Sequence, residues 1–165
     1  MVRVAVLTVS DAGFRGERAD LSGDVIERWV VESGYQLAGR ALVPDETVEI
    51  VRQLLAWCDS GGVDLVLVTG GTGLAPRDVT PEATEAVLDR EAPGLAELMR
   101  VTILERFPRA ALSRAVAGVR GRTLIIDLPG SPTAVAESLA LLAPVLGHAV
   151  DIATGRASDH SSLSK

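Results

Sequence analysis

Short apolar runs alternate along the chain with stretches whose apolar residues recur every three or four positions. That is the layout of a sheet covered on both faces by helices, an α/β fold. Val4 to Val9 is nearly all apolar and β-branched and predicts a central strand. Leu21 to Ser33 sets Val25, Ile26, Trp29 and Val30 on one stripe and stops before Gly34, as an amphipathic helix with a glycine stop does. Gln36 to Val43 predicts the next strand, and Pro44-Asp45-Glu46-Thr47 turns into a helix with Val48, Val51, Leu54 and Leu55 inward, ending before Gly61-Gly62. Leu65 to Val68 is a further buried strand. Pro81 to Arg90 predicts a helix, and a second follows Pro93-Gly94 with Leu95, Leu98, Met99 and Leu104 toward the core. Arg120-Gly121-Arg122 reads as a solvated hairpin or turn before a strand from Thr123 to Leu128. That strand meets Pro129-Gly130-Ser131-Pro132 and opens a helix from Thr133 to Leu142. Residues 1–157 form one expected domain, and Ser158 to Lys165 a frayed polar tail.

Composition agrees with a single domain, since 165 residues with 47% apolar content support one sizeable core. The net charge of −6 argues against a general nucleic-acid or anionic-membrane surface, yet leaves room for an anionic ligand in a locally positive pocket. Cys58 stands alone in a helical pattern beside Trp57, as a packing residue rather than a nucleophile. Met1-Val2-Arg3 enters a strand at once, without a signal-peptide layout, and no apolar run is expected to span a bilayer. A cytoplasmic setting follows as the default expectation.

The densest chemistry follows the Leu65 strand, in Thr69-Gly70-Gly71-Thr72-Gly73 and then Arg77-Asp78-Val79-Thr80-Pro81. Three glycines in four residues leave backbone N–H groups open to an anion, because no Cβ blocks close approach. Arg77 beside Asp78 offers one cation and one anion, as a site for phosphate and its magnesium requires. A Walker A loop is excluded, since it needs a lysine directly after its last glycine and the only lysine is Lys165. The dinucleotide spacing also fails at Gly71-Thr72-Gly73-Leu74-Ala75-Pro76. If the sheet is mainly parallel, Ser10-Asp11, Pro44-Asp45, the glycine loop and Pro129-Gly130-Ser131 converge at the carboxyl edge, where open α/β sheets bind ligands.

Taken in order, Leu7-Thr8-Val9-Ser10-Asp11, Asp20-Leu21-Ser22-Gly23, Val43-Pro44-Asp45-Glu46, Thr69 to Gly73, Arg77 to Thr84, Pro93-Gly94, Leu112-Ser113-Arg114 and Leu128 to Pro132 resemble the MogA/MoaB family of molybdopterin adenylyltransferases, which includes the gephyrin G domain. The likeness covers about Val2 to Ile152. It implies a three-layer α/β/α fold with a mainly parallel sheet, and the magnesium-dependent transfer of AMP from ATP to the terminal phosphate of molybdopterin, releasing pyrophosphate. It implies a homotrimer, or a hexamer, and a downstream molybdenum-insertion enzyme as partner. By the same resemblance Asp45 and Asp78 are the catalytic, magnesium-holding carboxylates. Pterin and phosphate contacts fall on Gly70, Gly71, Thr72, Gly73, Arg77, Ser113, Gly130 and Ser131, and nucleotide contacts on Ser10, Asp11, Asp20, Ser22 and Gly23. The short segment after Ile152 is nearer to MoaB-type members, which keeps open a pterin carrier or scaffold without turnover. A nucleotide-processing enzyme on the same fold, as in competence-associated proteins, is a third reading.

The reaction suits the residue types. A phosphate oxygen is already ionised at neutral pH, so no base is required, and what opposes attack is charge, which carboxylate-held magnesium and backbone amides relieve. Each residue also has a structural role to set against this one. Asp45 and Asp20 suit helix starts, Asp11 an Asx turn with Gly13, Ser131 a cap, Ser113 a solvated loop and Glu82 a first helical turn. Thr80 before Pro81 is the expected cap of its helix, which leaves Asp78 free. His148 is expected on a helix surface.

Overall fold

The computed structural model describes residues 1–157, so the expected polar tail at 158–165 lies outside the described residues. Strands β1 (Arg3–Val9), β2 (Gln36–Val43), β3 (Leu65–Thr69), β4 (Arg90–Glu91), β5 (Ala117–Arg120) and β6 (Thr123–Leu128) form one six-stranded sheet in the order β2-β1-β3-β6-β5-β4. The first four are mutually parallel, and β5 and β4 are antiparallel additions at one edge. Helices α1 (Asp11–Phe14), α2 (Leu21–Glu32), α3 (Thr47–Cys58), α4 (Thr80–Val87), α5 (Pro93–Leu104) and α6 (Pro132–Ala153), with a 3-10 turn at Pro108–Leu112, complete the chain.

The apolar runs form central strands because both pleat faces are covered. Val4, Val6, Leu65, Leu67, Leu124 and Ile126 point to one face, where they meet Ile26 and Val30 of α2, Met99 of α5 and Val135, Leu139 and Leu142 of α6. Their neighbours Ala5, Leu7, Val9, Val66, Val68 and Ile125 point to the other, against Ile50, Leu54 and Cys58 of α3 and Ala83 and Val87 of α4. Alternation by two within a continuous apolar stretch thus builds two cores and three layers.

Several sequence expectations are corrected. In α3 the inward stripe is Ile50, Leu54 and Cys58, and Val48 is 64% exposed, because it stands half a turn from that stripe. The helix at Pro81 stops at Val87, and Arg90–Glu91 instead pairs with β5. Leu104 is 40% exposed, and Ala96, Met99 and Ile103 carry the buried face of α5. The last helix continues past Leu142 to Ala153. It passes Pro144 on its exposed side, where the carbonyl that loses its partner can meet water. At 22 residues α6 is long and apolar enough to cross a membrane by length and composition, contrary to expectation, although Val135, Leu139, Leu142, Leu146 and Val150 are buried in the core. Cys58 is buried and its thiol is pushed up to about 11, chiefly by burial, as a packing residue would be. His148 is exposed on α6 as expected.

Candidate active site

The parallel strands deliver their carboxyl ends to one edge, and the four loops expected there meet. After β1, Ser10 donates its N–H to the Val43 carbonyl at 2.9 Å, and its hydroxyl oxygen accepts from Gly13 N–H at 3.0 Å to start α1. Asp11 therefore makes no Asx turn with Gly13. Its carboxylate reaches across to the Asp45 backbone after β2, and the Asp45 carboxylate answers on the Asp11 N–H. Nor does Asp45 cap α3, whose cap position is Glu46 without a side-chain bond.

In the loop after β3, Gly70 and Gly71 adopt φ of +94° and +67°, a region costly for residues with a Cβ. Space forbids one as well. A Cβ on Gly70 would stand 2.2 Å from the Val9 carbonyl oxygen, on Gly71 2.4 Å from Thr80 Oγ1, and on Gly73 2.7 Å from Asp78 Oδ2. Thr80 is not the cap expected of it. Its hydroxyl donates to the Gly70 carbonyl at 2.7 Å and its N–H to the Gly71 carbonyl at 3.1 Å, fastening the glycine turn to α4. Asp78 is likewise no cap, since Oδ2 accepts from Ala75 N–H at 2.9 Å within the loop.

Two arginines hold these loops together. Arg77 donates to both oxygens of Asp11, at 2.6 and 3.1 Å, to the Asp45 carbonyl at 3.1 Å and to Glu46 at 2.8 Å. The cation expected at a phosphate is thus matched by carboxylates. Arg114 is a site residue that the sequence pattern does not single out. It donates to the Gly73 carbonyl at 2.8 Å and the Asp78 carbonyl at 2.7 Å and pairs with Glu82, so it clamps the far side of the glycine loop. The signal for it was its place directly after Ser113 in a motif where only the serine was assigned.

The turn after β6 joins through Thr69 Oγ1, donating to the Pro129 carbonyl at 2.6 Å, and Ser22 Oγ, donating to the Gly130 carbonyl at 2.7 Å. Ser131 caps α6, accepting from Ala134 N–H at 3.2 Å. Asp20 caps α2 through Gly23 N–H at 2.9 Å, and its second oxygen accepts from Thr8 Oγ1 at 2.8 Å and Arg40 at 2.9 Å. Gly23 is small because a Cβ there would stand 2.1 Å from that carboxylate.

Two cavities flank the glycine loop. A polar one of about 510 Å³ is lined by Ser10, Asp20, Ser22, Asp45, Gly70, Gly71, Asp78, Gly130 and Ser131 among others. A more apolar one of about 360 Å³ is lined by Thr72, Gly73, Ser113 and Ser131 together with Met99, Ile103, Phe107 and Leu112. The residues expected to bind pterin and phosphate are therefore divided by the loop, Gly70 and Gly71 on one side and Thr72 and Gly73 on the other, with Ser131 shared. Asp11, Arg77 and Gly23 line neither cavity.

Electrostatics separate the carboxylates. Arg77 holds Asp11 below its ordinary value. Asp45 is raised, first by burial and then by the charges of Asp11 and Asp78, against the pull of the Asp11 N–H. Asp45 and Asp78 thus line the same cavity from separate loops, with Asp45 raised chiefly by its burial. On the floor of the apolar cavity Ser138 Oγ is buried and has no partner, the one such side-chain atom among the described residues.

The sequence and the fold have counterparts among known proteins. A family model for a probable molybdopterin binding domain matches residues 5–148. The molybdopterin adenylyltransferase of Helicobacter pylori is 43% identical over 158 residues, covering 93% of this chain and 89% of that protein. That of Escherichia coli K12 is 41% identical over 141 residues, covering 84% and 72%. The crystal structure of the molybdopterin biosynthesis enzyme MoaB from Thermus thermophilus superposes with a TM-score of 0.89 at 57% identity, over 94% of this chain and 98% of that one. With a family model spanning most of its length and relatives above 40% identity along nearly all of it, the chain belongs to the molybdopterin-binding family of molybdenum cofactor biosynthesis proteins.

Proposed function

We propose that the protein transfers AMP from ATP to the terminal phosphate of molybdopterin, with magnesium, releasing pyrophosphate. The observation that carries this reading is that Asp45 and Asp78, from separate loops, line one polar cavity beside the glycine turn. ATP takes that cavity. The pterin ring takes the apolar cavity across the loop, and its phosphate reaches the boundary at Ser131, which lines both.

Asp45 and Asp78 are the residues that would hold magnesium, an ion that binds through one or two carboxylates and fills its octahedron with phosphate oxygens and waters. When bound it supplies neutralisation of charge on the phosphates of ATP. The chain's own groups do the rest. The N–H groups of the glycine turn face the phosphates, and the Asp11–Asp45–Arg77 joint and the Arg114 clamp fix the loops, so substrates meet a preorganised edge. No side chain has to remove a proton, because the attacking phosphate oxygen is anionic at neutral pH. A homotrimer in the cytoplasm is part of the same reading, with exposed Val31, Val101 and Val145 among the residues available for subunit contacts.

The test is turnover. Incubated with molybdopterin, ATP and magnesium, the wild type is expected to yield adenylylated pterin and pyrophosphate, and Asp45→Ala and Asp78→Ala folded but inactive protein. No product from the wild type would overturn the reading. The 57% identity to a MoaB favours one alternative, a pterin carrier, for which pterin binding would survive Asp78→Asn with no ATP consumed.

A further inference from the structure

The arginines nearest the strand ends have their charges matched inside the fold. Arg77 faces Asp11 and Glu46, Arg114 faces Glu82, and Arg40 faces Asp20, Asp24 and Glu27. Arg18 differs. It stands in the connection between α1 and α2, is exposed, and none of the ion pairs or hydrogen bonds of the described residues involves it. It is also the one cationic residue among those lining the polar cavity, which otherwise counts the acidic residues Asp20, Asp45 and Asp78. A guanidinium without a carboxylate partner, at the edge of a cavity for a polyanion, presents its fork of N–H donors to phosphate oxygens.

We propose that Arg18 binds the β- and γ-phosphates of the nucleotide and steadies them as pyrophosphate departs. The proposal rests on the adenylyl-transfer reading above and adds to it the residue that distinguishes a nucleoside triphosphate from a monophosphate. In the reaction an oxygen of the pterin phosphate forms a bond to the α-phosphorus while the bond from that phosphorus to the α–β bridging oxygen breaks. The electron pair leaves on the pyrophosphate, and no proton changes place in the exchange. Negative charge therefore grows on the departing group, the part of the nucleotide Arg18 meets, whereas the α-phosphate and adenosine stay with the pterin. Arg77, the cation expected there from sequence, is a positioning residue for the loops instead.

Calorimetric titration of ATP and of AMP, in magnesium buffer without pterin, tests this on the wild type, Arg18→Ala and Arg18→Lys. Arg18 makes no ion pair or hydrogen bond with the other described residues, so Arg18→Ala is expected to melt as the wild type does. Loss of a charge-assisted phosphate contact should weaken ATP binding by about tenfold or more. AMP binding should stay within about twofold, and Arg18→Lys should recover part of the loss, since lysine restores the charge without the fork. Unchanged ATP affinity in Arg18→Ala, or equal losses for ATP and AMP, would overturn the proposal. A wild type that binds ATP yet makes no adenylylated pterin would sink the reaction while leaving the titrations to decide the phosphate contact. A wild type that binds neither nucleotide would remove both.

Discussion

Asp11 and Asp45 hold each other reciprocally across two neighbouring strand ends. The Asp45 N–H donates to Asp11 Oδ1 at 3.0 Å, and the Asp11 N–H donates to Asp45 Oδ2 at 2.7 Å. The exchange orients the Asp45 carboxylate and occupies one of its oxygens, while Oδ1 lies beside Gly71, 3.1 Å from where a Cβ on that residue would stand. Asp45→Asn preserves the acceptor for Asp11 N–H and removes only the charge. It is expected to melt near the wild type and to lose turnover by about a hundredfold or more, the scale of removing a preorganised electrostatic contact. Asp78→Asn, which keeps an acceptor for Ala75 N–H, should behave alike. A melting curve beside a pyrophosphate-release assay checks both, and full activity in either variant would refute a metal-holding role.

Arg77 is bonded to Asp11, Glu46 and the Asp45 carbonyl, and we expect it to act through these loops. Arg77→Ala releases Asp11, Glu46 and the Asp45 carbonyl at once, and misplacement by an ångström costs about a hundredfold in rate. Turnover should fall while the affinity for AMP changes little, and Arg77→Lys should rescue poorly because it cannot span the same acceptors. If Arg77→Ala instead abolished ATP binding with normal loop geometry, Arg77 rather than Arg18 would be the phosphate cation.

Much of this site was legible in the chain. The central strands announce themselves because burial on both faces demands continuous apolar runs, and Val4 to Val9 and Leu65 to Val68 have no other use. Asp45, Asp78 and the glycine turn were legible as a set through family likeness and as a converging edge through topology. What stayed hidden was direction. Arg77 next to Asp78 looks like a phosphate cation until the fold brings Asp11 and Glu46 to it from more than 30 residues away. Thr80 resembles a cap until its hydroxyl is seen on the Gly70 carbonyl. The edge strand Arg90–Glu91 is two residues long, too short for any period to show.

Glycine substitutions separate fold from site. Gly70→Ala forces a Cβ onto the Val9 carbonyl at a φ of +94° and should destabilise the protein by about 1–3 kcal/mol or more. Gly73 has no positive φ, and its only clash is with the Asp78 carboxylate, at 2.7 Å. Gly73→Ala is therefore expected to stay folded and lose activity by pushing Asp78 aside. Chemical denaturation beside turnover distinguishes the two, and equal effects of both on stability would contradict the account.

Ser138 predicts effects of opposite sign. Its hydroxyl is buried without a partner on the floor of the apolar cavity, and burial of an unpaired hydroxyl costs about 1–3 kcal/mol. Ser138→Ala should raise the free protein's melting temperature. If the hydroxyl is held in reserve for the pterin, the same variant should weaken pterin binding several-fold. Denaturation and pterin titration read the two effects separately, and a gain in stability with unchanged pterin affinity would assign Ser138 no part in binding.

Asp127 is expected to make stability fall as pH rises from about 4 to about 7. It is fully buried on β6, accepts from Thr84 Oγ1 of α4 at 2.8 Å and from Val116 N–H at 3.3 Å, and burial pushes its carboxyl up to about 7 against those two bonds. In the unfolded chain the same group titrates near the usual aspartate value of about 3.9. Between these values the folded protein keeps a proton that the unfolded chain has released. Its contribution is fully present below about pH 4 and is lost as pH rises through about 7, with a slope of up to about 1.4 kcal/mol per pH unit for one proton. Above that the contribution is flat. Asp127→Asn cannot ionise, so it should flatten this slope and be the more stable form above pH 7 relative to its own low-pH value. Urea melts at pH 4.5, 6 and 8 compare the two proteins, and parallel pH profiles would show that Asp127 is not the group responsible.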